Sequence, residues 1–201
     1  MIRTDATIAI VGAGAMGSAI AMGAHRAGRN VTALASRHHD RVRGLAKELG
    51  AVLVTEAADI IEHADVILLC VPDDAIAPVA GTLKEVADKL IVHTAGAKGL
   101  AVLDVAAARG ACTGSLHPVM VVAAGGRGHE ALQGATAAID GNDPACAWLT
   151  EFARDLQMEP VTIPAEHRAL YHLSAAMVGG LMTGLLASAV DLWGVLGLDR
   201  S

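Results

Sequence analysis

A glycine-rich turn near the N-terminus is the feature that most restricts what this 201-residue chain can fold into. Its six residues follow a short apolar run and precede a run with helical periodicity: Gly12-Ala13-Gly14-Ala15-Met16-Gly17. In a strand, turn and helix, the first glycine permits the tight turn and the second lets the backbone approach a pyrophosphate. The third lets the helix pack closely on the strand, and the helix N-terminus then faces the phosphates. The pattern predicts a dinucleotide-binding site at residues 12–17.

Short apolar runs alternate with helical runs along most of the chain. The predicted strands span residues 7–11, 31–35, 51–54, 66–71, 90–93, 112–116, 135–140 and 159–162, and the predicted helices 16–27, 40–49, 73–86, 102–108 and 144–156. The strand runs are continuously apolar, as in a sheet that is covered on both faces. This order predicts an α/β fold with a doubly wound, mostly parallel Rossmann sheet over residues 1–163. Four residues at 125–128, Gly-Gly-Arg-Gly, predict a mobile loop within 119–134.

The pattern changes after Pro164, where a C-terminal helical segment is predicted over residues 164–201. From 169 to 190 the only residue that can carry a charge is His172. The length suffices for a membrane span, but Ser174, Thr183 and two adjacent glycines, together with the absence of a basic C-terminal flank, favour a long buried helix. Because this chain is too short to cover such a helix by itself, we expect a homodimer formed through the helix and no membrane attachment.

Composition narrows the partners and the compartment. A net charge of −6 and an aromatic content of 2% argue against a nucleic-acid partner. The three cysteines are far apart and form no CxxC pair, so no disulfide scaffold is expected. The apolar run at residues 7–11 is too short for a secretory signal, which predicts a cytoplasmic protein. The adjacent His38 and His39 belong to no ligand pattern, and we assign no metal site.

The end of the second predicted strand indicates which dinucleotide is bound. An NAD site usually places a carboxylate there to bind the ribose 2′-hydroxyl. This chain has Ser36 and Arg37 instead. The hydroxyl can donate a hydrogen bond to a 2′-phosphate, and the guanidinium can pair with that phosphate and stack on adenine. NADP is therefore the predicted cofactor.

Three further segments end at the same edge of the predicted sheet. Val71, Pro72 and Asp73 follow the fourth strand, and Thr94 follows the fifth; these are predicted to contact the cofactor, although Asp73 can equally cap the next helix. The fifth strand ends at His93, and the sixth is followed by His117. His172, on the long helix, can close the site from above.

These three histidines, His117, His93 and His172, are the predicted catalytic residues. Their proposed role is to orient or protonate the substrate. A structural role, in which each ring bonds to neighbouring backbone or stays within the helix packing, is the alternative for every one of them. A zinc site formed by all three is a further, weaker alternative.

Taken together, these segments resemble a family of Rossmann-like NADP-binding oxidoreductases of unknown substrate. The C-terminal part of that family is similar to the helical domains of 6-phosphogluconate dehydrogenase and pyrroline-carboxylate reductase. The resemblance rests on blocks that keep their order along the chain: Gly12 to Gly17, Ser36-Arg37, Val71-Pro72-Asp73, His93-Thr94-Ala95-Gly96, Gly114-Ser115-Leu116-His117-Pro118 and the block from Ile163 to His172. It implies an NADP-binding reductase fold. Members of the family continue with further helices, so residues 164–201 are expected to be a shortened form of their helical domain.

The chain also departs from the family pattern. Ala95 stands where the family has serine, and Gly179-Gly180 where members often have Ser-Asn. Related ketoacid reductases carry a Lys and an Asn on this helix, at positions that correspond here to Ala176 and Gly180, so a lysine proton donor is absent. The sequence predicts an NADP(H)-dependent reductase of a small carbonyl or imine substrate. A non-catalytic NADP-binding or sensing module and a deazaflavin-dependent NADP reductase remain the alternatives.

Overall fold

A computed structural model describes residues 2–120 and 128–198 of the chain. Its strands are β1 (Ile8–Val11), β2 (Val31–Ala35), β3 (Val52–Val54), β4 (Val66–Leu69), β5 (Leu90–His93), β6 (Cys112–Pro118), β7 (Thr136–Gly141) and β8 (Glu159–Thr162). They form one sheet in the order β3-β2-β1-β4-β5-β6-β7-β8. Neighbouring strands are parallel except for β6 and β7, which are antiparallel. The predicted α/β fold with a doubly wound, mostly parallel sheet is confirmed.

Continuous apolar strands explain why both faces of the sheet are covered. Successive side chains of a strand point to opposite faces. In β1, Ile8 and Ile10 therefore join one buried cluster, and Ala9 and Val11 join a second cluster on the other face. Full burial of an isoleucine side chain contributes about 1.5–3 kcal/mol to folding, so the central strands hold the two layers of helices in place.

The helices between the strands lie close to their predicted positions. They are α1 (Ala15–Arg26), α2 (His39–Leu49), α3 (Ile76–Thr82), α4 (Asp104–Ala107) and α5 (Asp143–Asp155), with 3₁₀ segments at Ala57–His63, Leu100–Leu103 and Glu130–Leu132. The largest difference is α3, which is shorter than the predicted 73–86. Its N-cap is Ala75 and no side chain caps it, so the capping role considered for Asp73 is wrong. The loop predicted within 119–134 includes residues 121–127, which lie outside the described residues.

The C-terminal segment is one long helical stretch built from three parts. A 3₁₀ turn, Ala165–His167, leads into α6 (Arg168–Ala176), a π-helical segment (Met177–Leu181) and α7 (Met182–Val195). By length and composition this stretch is able to cross a membrane, with a mean hydropathy of 1.7. The most apolar 18 residues of this stretch are not buried by any other part of the described chain. The burial predicted for this helix is therefore not provided by the chain itself, and the predicted homodimer stays a prediction.

Candidate active site

The strand order reverses between β1 and β4, and a groove opens at this point. The chain leaves β1 towards β2 on one side and returns to β4 on the other, and ligands of open α/β sheets bind beyond the carboxyl ends of strands at such a point. The groove has a volume of about 520 Å³. Its lining comes from the glycine turn, the ends of β2 and β4, the start of the 3₁₀ segment after β3, and α3: Val11 to Gly14, Ala35 to His38, Thr55 to Ala58, Cys70 to Pro72, Ala75, Pro78, Val79 and Thr82.

The three glycines of the turn have different surroundings. Gly12 has a φ of +94°, and a Cβ there would collide with the carbonyl oxygen of Cys70. A Cβ at Gly17 would collide with the carbonyl oxygen of Gly12, so this glycine sets the close approach of α1 to the turn. At Gly14 a Cβ would meet nothing within 4 Å. The two outer glycines are needed by the protein's own backbone, whereas the middle one leaves open space for a ligand.

The N-terminus of α1 can accept a pyrophosphate. Gly14 is its N-cap, so no side chain caps it, and its first turn holds no acidic residue. The free backbone N–H groups and the positive end of the helix dipole therefore favour an anion. Ala13 and Gly14 line the groove, while Ala15, Met16 and Gly17 form the first turn of the helix behind it.

The end of β2 can accept a 2′-phosphate. Ser36 and Arg37 both line the groove, and the Ser36 hydroxyl accepts a hydrogen bond of 3.2 Å from the backbone N–H of His38. The Arg37 side chain is exposed and makes no ion pair within the described part of the chain. A guanidinium without a carboxylate partner suits a phosphate, so the residues present fit the predicted NADP.

The remaining residues predicted to contact the cofactor lie at neighbouring strand ends. Val71 and Pro72 line the groove directly. Thr94 follows β5, and its backbone N–H donates to the Leu69 carbonyl at 3.3 Å, which joins the ends of β4 and β5. Asp73 does not line the groove. Its negative charge partly offsets the lowering of the pKa of His93 and His117 by burial.

His93 is the last residue of β5 and is completely buried. Its Nδ1 accepts a hydrogen bond of 3.2 Å from the backbone N–H of Ala95, so Nε2 carries the proton. No hydrogen-bond partner of Nε2 is found among residues 2–120 and 128–198. Burial, reinforced by the nearby Arg168 guanidinium, lowers the pKa of His93 to about 4. The ring is therefore neutral at pH 7.

The long helix brings a second group of rings to the end of β6. Nδ1 of His117 lies 3.3 Å from the Tyr171 hydroxyl, and the two ring centroids are 5.6 Å apart. The His172 ring lies 5.8 Å from that of His117, and Nδ1 of His172 is buried without a partner in the described structure. Burial, together with His172 and Arg168, lowers the pKa of His117 to about 4.

A buried arginine ties the long helix to the sheet at this edge. The Nη2 group of Arg168, the first residue of α6, donates to Ser115 Oγ at 3.2 Å and to Asp140 Oδ2 at 2.8 Å. The Arg168 side chain is only 5% exposed. One turn later on the same helix stand Tyr171 and His172, so the ion pair fixes the height at which their rings meet His117.

The structure thus brings His117 and His172 together with Tyr171. Of the residues predicted to contact the cofactor, seven line the groove and five do not. Those that line it are Gly12, Ala13, Gly14, Ser36, Arg37, Val71 and Pro72; the others are Ala15, Met16, Gly17, Asp73 and Thr94. His93 lies on the adjacent strand, in register with Ser115. Sequence reasoning did not single out the anchoring role of Ser115, Asp140 and Arg168, or the close packing at Gly96. Two of these residues, Ser115 and Arg168, lie in the same sequence blocks as His117 and His172, and that proximity was the available signal. In the part of the chain that is described, no three metal-ligating side chains are grouped closely enough to hold a metal ion.

Comparison with family models divides the chain into two parts. Residues 7–97 match the family described as NADP oxidoreductase, coenzyme F420-dependent. Residues 135–201 match a domain of unknown function, DUF2520. The first description confirms the prediction of NADP as the cofactor, and the two matches together confirm the resemblance to NADP-binding oxidoreductases whose substrate is not known.

Curated relatives match a smaller part of the chain. A pyrroline-5-carboxylate reductase of Mycobacterium leprae is 39% identical over 89 residues, which cover 43% of this chain and 30% of that protein. The enzyme of the same name from Mycobacterium tuberculosis is 42% identical over 80 residues, covering 39% of this chain and 27% of that protein. The matched stretch therefore spans less than a third of the length of these relatives.

Solved structures share the fold over nearly the whole chain. A candidate NADP oxidoreductase from Bacteroides fragilis superposes with a TM-score of 0.85 at 22% identity, covering 98% of this chain and 75% of that one. A pyrroline carboxylate reductase from Plasmodium falciparum, solved with NADP bound, gives 0.72 at 14% identity, with coverages of 98% and 72%. A reductive aminase from Aspergillus terreus, solved with NADPH4, cyclohexanone and allyl amine, gives 0.72 at 21% identity, with coverages of 96% and 68%. At these identities the likeness establishes the fold.

Proposed function

Because the chain joins a segment of the F420-dependent NADP oxidoreductase family to a DUF2520 segment, we propose that it is an NADP(H)-dependent reductase of a small imine or carbonyl compound. One observation carries the proposal. The glycine turn after β1 and the cluster of His117, Tyr171 and His172 at the end of β6 lie at the same edge of the sheet, since β1, β4, β5 and β6 are parallel. A groove for a dinucleotide and a ring-lined site therefore lie at one edge of the sheet.

Different residues would bind the cofactor and the substrate in such a reaction. When bound, NADPH supplies the hydride. The backbone at Ala13 and Gly14 holds the pyrophosphate, and Ser36 and Arg37 hold the 2′-phosphate. The substrate is bordered by His93, His117 and His172. Since His93 and His117 are neutral at pH 7, they accept or donate hydrogen bonds to orient the substrate without adding a charge to the site.

The imine class is supported by the names of the relatives. The Mycobacterium proteins are pyrroline-5-carboxylate reductases, and the Aspergillus protein is a reductive aminase. The carbonyl class is kept beside it because hydride addition to C=O and to C=N makes the same demand on the site: a proton for the heteroatom that takes up the electron pair.

The direct test is a screen for NADPH oxidation with cyclic imines, ketones and 2-oxo acids, combined with calorimetry of cofactor binding. Turnover of an imine or carbonyl compound supports the proposal. Tight NADPH binding with no turnover of any substrate contradicts it and favours the non-catalytic sensing module. Equal affinity for NADPH and NADH would contradict the cofactor assignment.

The preference for NADPH is expected to depend on Arg37. A charge-assisted hydrogen bond to phosphate contributes about 1.5–3 kcal/mol, so Arg37→Ala should weaken NADPH binding by about 10- to 150-fold and leave NADH binding nearly unchanged. Arg26→Ala is the matched control, because Arg26 is also exposed but lies in the last turn of α1, away from the groove. Calorimetric titration of both variants with both cofactors measures the difference.

A deazaflavin-dependent NADP reductase is the second candidate function. It is favoured by the family description of residues 7–97, which names coenzyme F420, a deazaflavin. The matched residues form the part of the site that binds NADP, which both functions need. Adding coenzyme F420 to the same assay separates them: NADP-dependent conversion of F420 without reduction of imines or carbonyls would favour this candidate.

We further propose that the protein is a cytoplasmic homodimer held together by α6, the π-helical segment and α7. The support is the apolar surface of this stretch, on which Leu181, Leu185 and Val195 are 66%, 71% and 84% exposed in the single chain. Large exposed apolar patches mark interaction surfaces. A predominantly apolar helix surface suits a twofold contact in which each copy covers the other.

A further inference from the structure

A reductase needs a proton as well as a hydride, and two of the three histidines at this site, His93 and His117, do not supply one as imidazolium at pH 7. The imidazolium forms of His93 and His117 are suppressed by burial. Among the described residues that meet at the end of β6, the phenol of Tyr171 is the remaining protonated oxygen acid.

The position of Tyr171 suits proton transfer. Its hydroxyl lies 3.3 Å from His117 Nδ1 and 3.4 Å from the His117 carbonyl oxygen, to which it donates. The residue as a whole is only partly buried. Burial raises the pKa of Tyr171, which keeps the phenol protonated well above neutral pH.

From this geometry we infer that the Tyr171 hydroxyl donates the proton in the reduction and that His117 is the residue that restores it. The inference rests on the proposed reductase function. As hydride adds to the carbon of the C=N or C=O bond, the electron pair of that bond moves to the heteroatom. The heteroatom takes the phenolic proton. His117 Nδ1–H then passes its proton to the phenolate while His117 Nε2 accepts one from water. Proton exchange with water returns the ring to its Nδ1–H tautomer before the next turnover, so one hydride and one solvent proton are consumed in each cycle.

Gly96 is the residue that allows this arrangement. A Cβ at position 96 would lie 2.5 Å from His117 Cε1, 2.6 Å from His117 Nε2 and 2.5 Å from His172 Nδ1. Real Cβ atoms do not approach other atoms so closely, so any side chain there must displace one or both rings. Gly99, three residues later in the same loop, has nothing within 4 Å of its Cβ position and provides a matched control.

The first experiment uses Tyr171→Phe, which removes the hydroxyl and keeps the ring. Loss of general acid catalysis is expected to lower kcat by about 10²- to 10⁴-fold. NADPH affinity by calorimetry and the melting temperature should stay close to those of the wild type. A variant that reduces substrate within a few-fold of the wild-type rate overturns the donor role and leaves the reductase function standing. If the wild type reduces no substrate, the reductase proposal fails, and the donor role fails with it.

The second experiment measures the ionisation of the Tyr171 phenol and needs no substrate. Tyr171 is the only tyrosine of the chain, so phenolate absorbance in a pH titration reports on this residue alone. We expect a midpoint above that of free tyrosine, a shift of that midpoint in Gly96→Ala, and none in Gly99→Ala. The two variants should also differ in turnover number: Gly96→Ala should lose most of its activity, and Gly99→Ala should keep it. A midpoint at the ordinary value in the wild type, or identical titrations of the three proteins, would overturn the coupling of Tyr171 to His117.

Discussion

At the scale of single residues, burial decides how the histidines of the site behave. His93 is completely buried, and its Nε2 has no partner within the described residues. His117 is partly buried against Tyr171 and His172. Transferring a charged imidazolium into such surroundings costs free energy, so both rings stay neutral where an exposed histidine would begin to take up a proton. Neutral histidines suit hydrogen bonding to a substrate or to the Tyr171 hydroxyl.

The stability of the protein should therefore depend on pH in a defined window. Unfolded His93 takes up a proton near pH 6.5, whereas the folded form does so only near pH 4. Between these values the unfolded chain binds more protons, so the free energy of unfolding falls as pH is lowered from about 6.5 to about 4. His93 alone should account for about 3 kcal/mol of that loss.

Chemical denaturation at a series of pH values measures this effect. His93→Gln should reduce the dependence between pH 6.5 and pH 4 and leave the part that His117 contributes. His25→Gln, at an exposed position on α1, is the control. A His93→Gln protein that loses stability with the same slope as the wild type would show that the folded histidine is not held neutral.

His117 tests whether the ring cluster serves catalysis or only structure. If His117 contacts the substrate and restores the proton of Tyr171, His117→Asn should keep its NADPH affinity and melting temperature and lose most of its turnover. If the ring is structural, the same change leaves a partly buried polar group unpaired and should lower stability by about 1–3 kcal/mol. Steady-state kinetics, calorimetry and thermal melting of one variant separate these outcomes, and His25→Asn serves as the surface control.

At the scale of elements, the parts that were predictable are those that local chemistry determines. Gly12 needs a positive φ and Gly17 a close backbone contact, and both requirements are visible in the spacing of the glycines. Continuous apolar runs gave the strands because a sheet covered on both faces needs no polar alternation. Long-range contacts were not predictable: the Arg168 to Asp140 ion pair joins residues that are 28 positions apart, and no local pattern selects that partner.

The start of α3 is an element boundary that the local sequence pattern did not predict. The apolar pattern extended the helix back to Asp73, but the helix begins at Ile76 and uses no side-chain cap. The backbone between Asp73 and Ile76 instead continues the turn that follows β4, where Val71 and Pro72 line the groove. Packing of that turn against the glycine turn overrides the helical preference of the sequence.

The glycine turn makes a prediction that separates folding from cofactor binding. Gly14→Ala meets no atom within 4 Å in the protein, so its stability should match that of the wild type, while the added methyl group occupies the space left for the pyrophosphate. NADPH affinity should fall at least tenfold. Gly17→Ala forces α1 away from the Gly12 carbonyl and should lower stability by about 1–3 kcal/mol.

Thermal melting and NADPH calorimetry of the two variants check this contrast. Gly14→Ala should keep the wild-type melting temperature and lose NADPH affinity. Gly17→Ala should have a lower melting temperature than the wild type. Unchanged NADPH binding in Gly14→Ala would mean that the pyrophosphate does not lie against this turn.

At the scale of the whole molecule, most of the large exposed apolar side chains among the described residues lie on the last helical stretch. Both faces of the sheet are buried under helices, whereas α6, the π-helical segment and α7 present leucine, methionine and valine side chains to solvent. A stable protein interface buries about 800 Å² on each partner, and a helical stretch of 28 residues is long enough to provide an interface of that order. The same surface would also suit a lipid bilayer. A dimer that buries this surface needs no detergent, whereas a protein that inserts it into a bilayer does.

If the protein is a homodimer, light scattering at micromolar concentration without detergent should give twice the chain mass of 20.4 kDa. Replacing Leu181 and Leu185 by glutamate places two charges on the exposed face, and burial of unpaired charges is costly, so the double variant should dissociate to monomers and keep its NADPH affinity. Val105→Glu, at an exposed apolar residue of α4, should leave the dimer intact. A wild type that scatters as a monomer, or that floats with lipid vesicles and requires detergent to leave them, would contradict the dimer; in the second case the bilayer covers the helix.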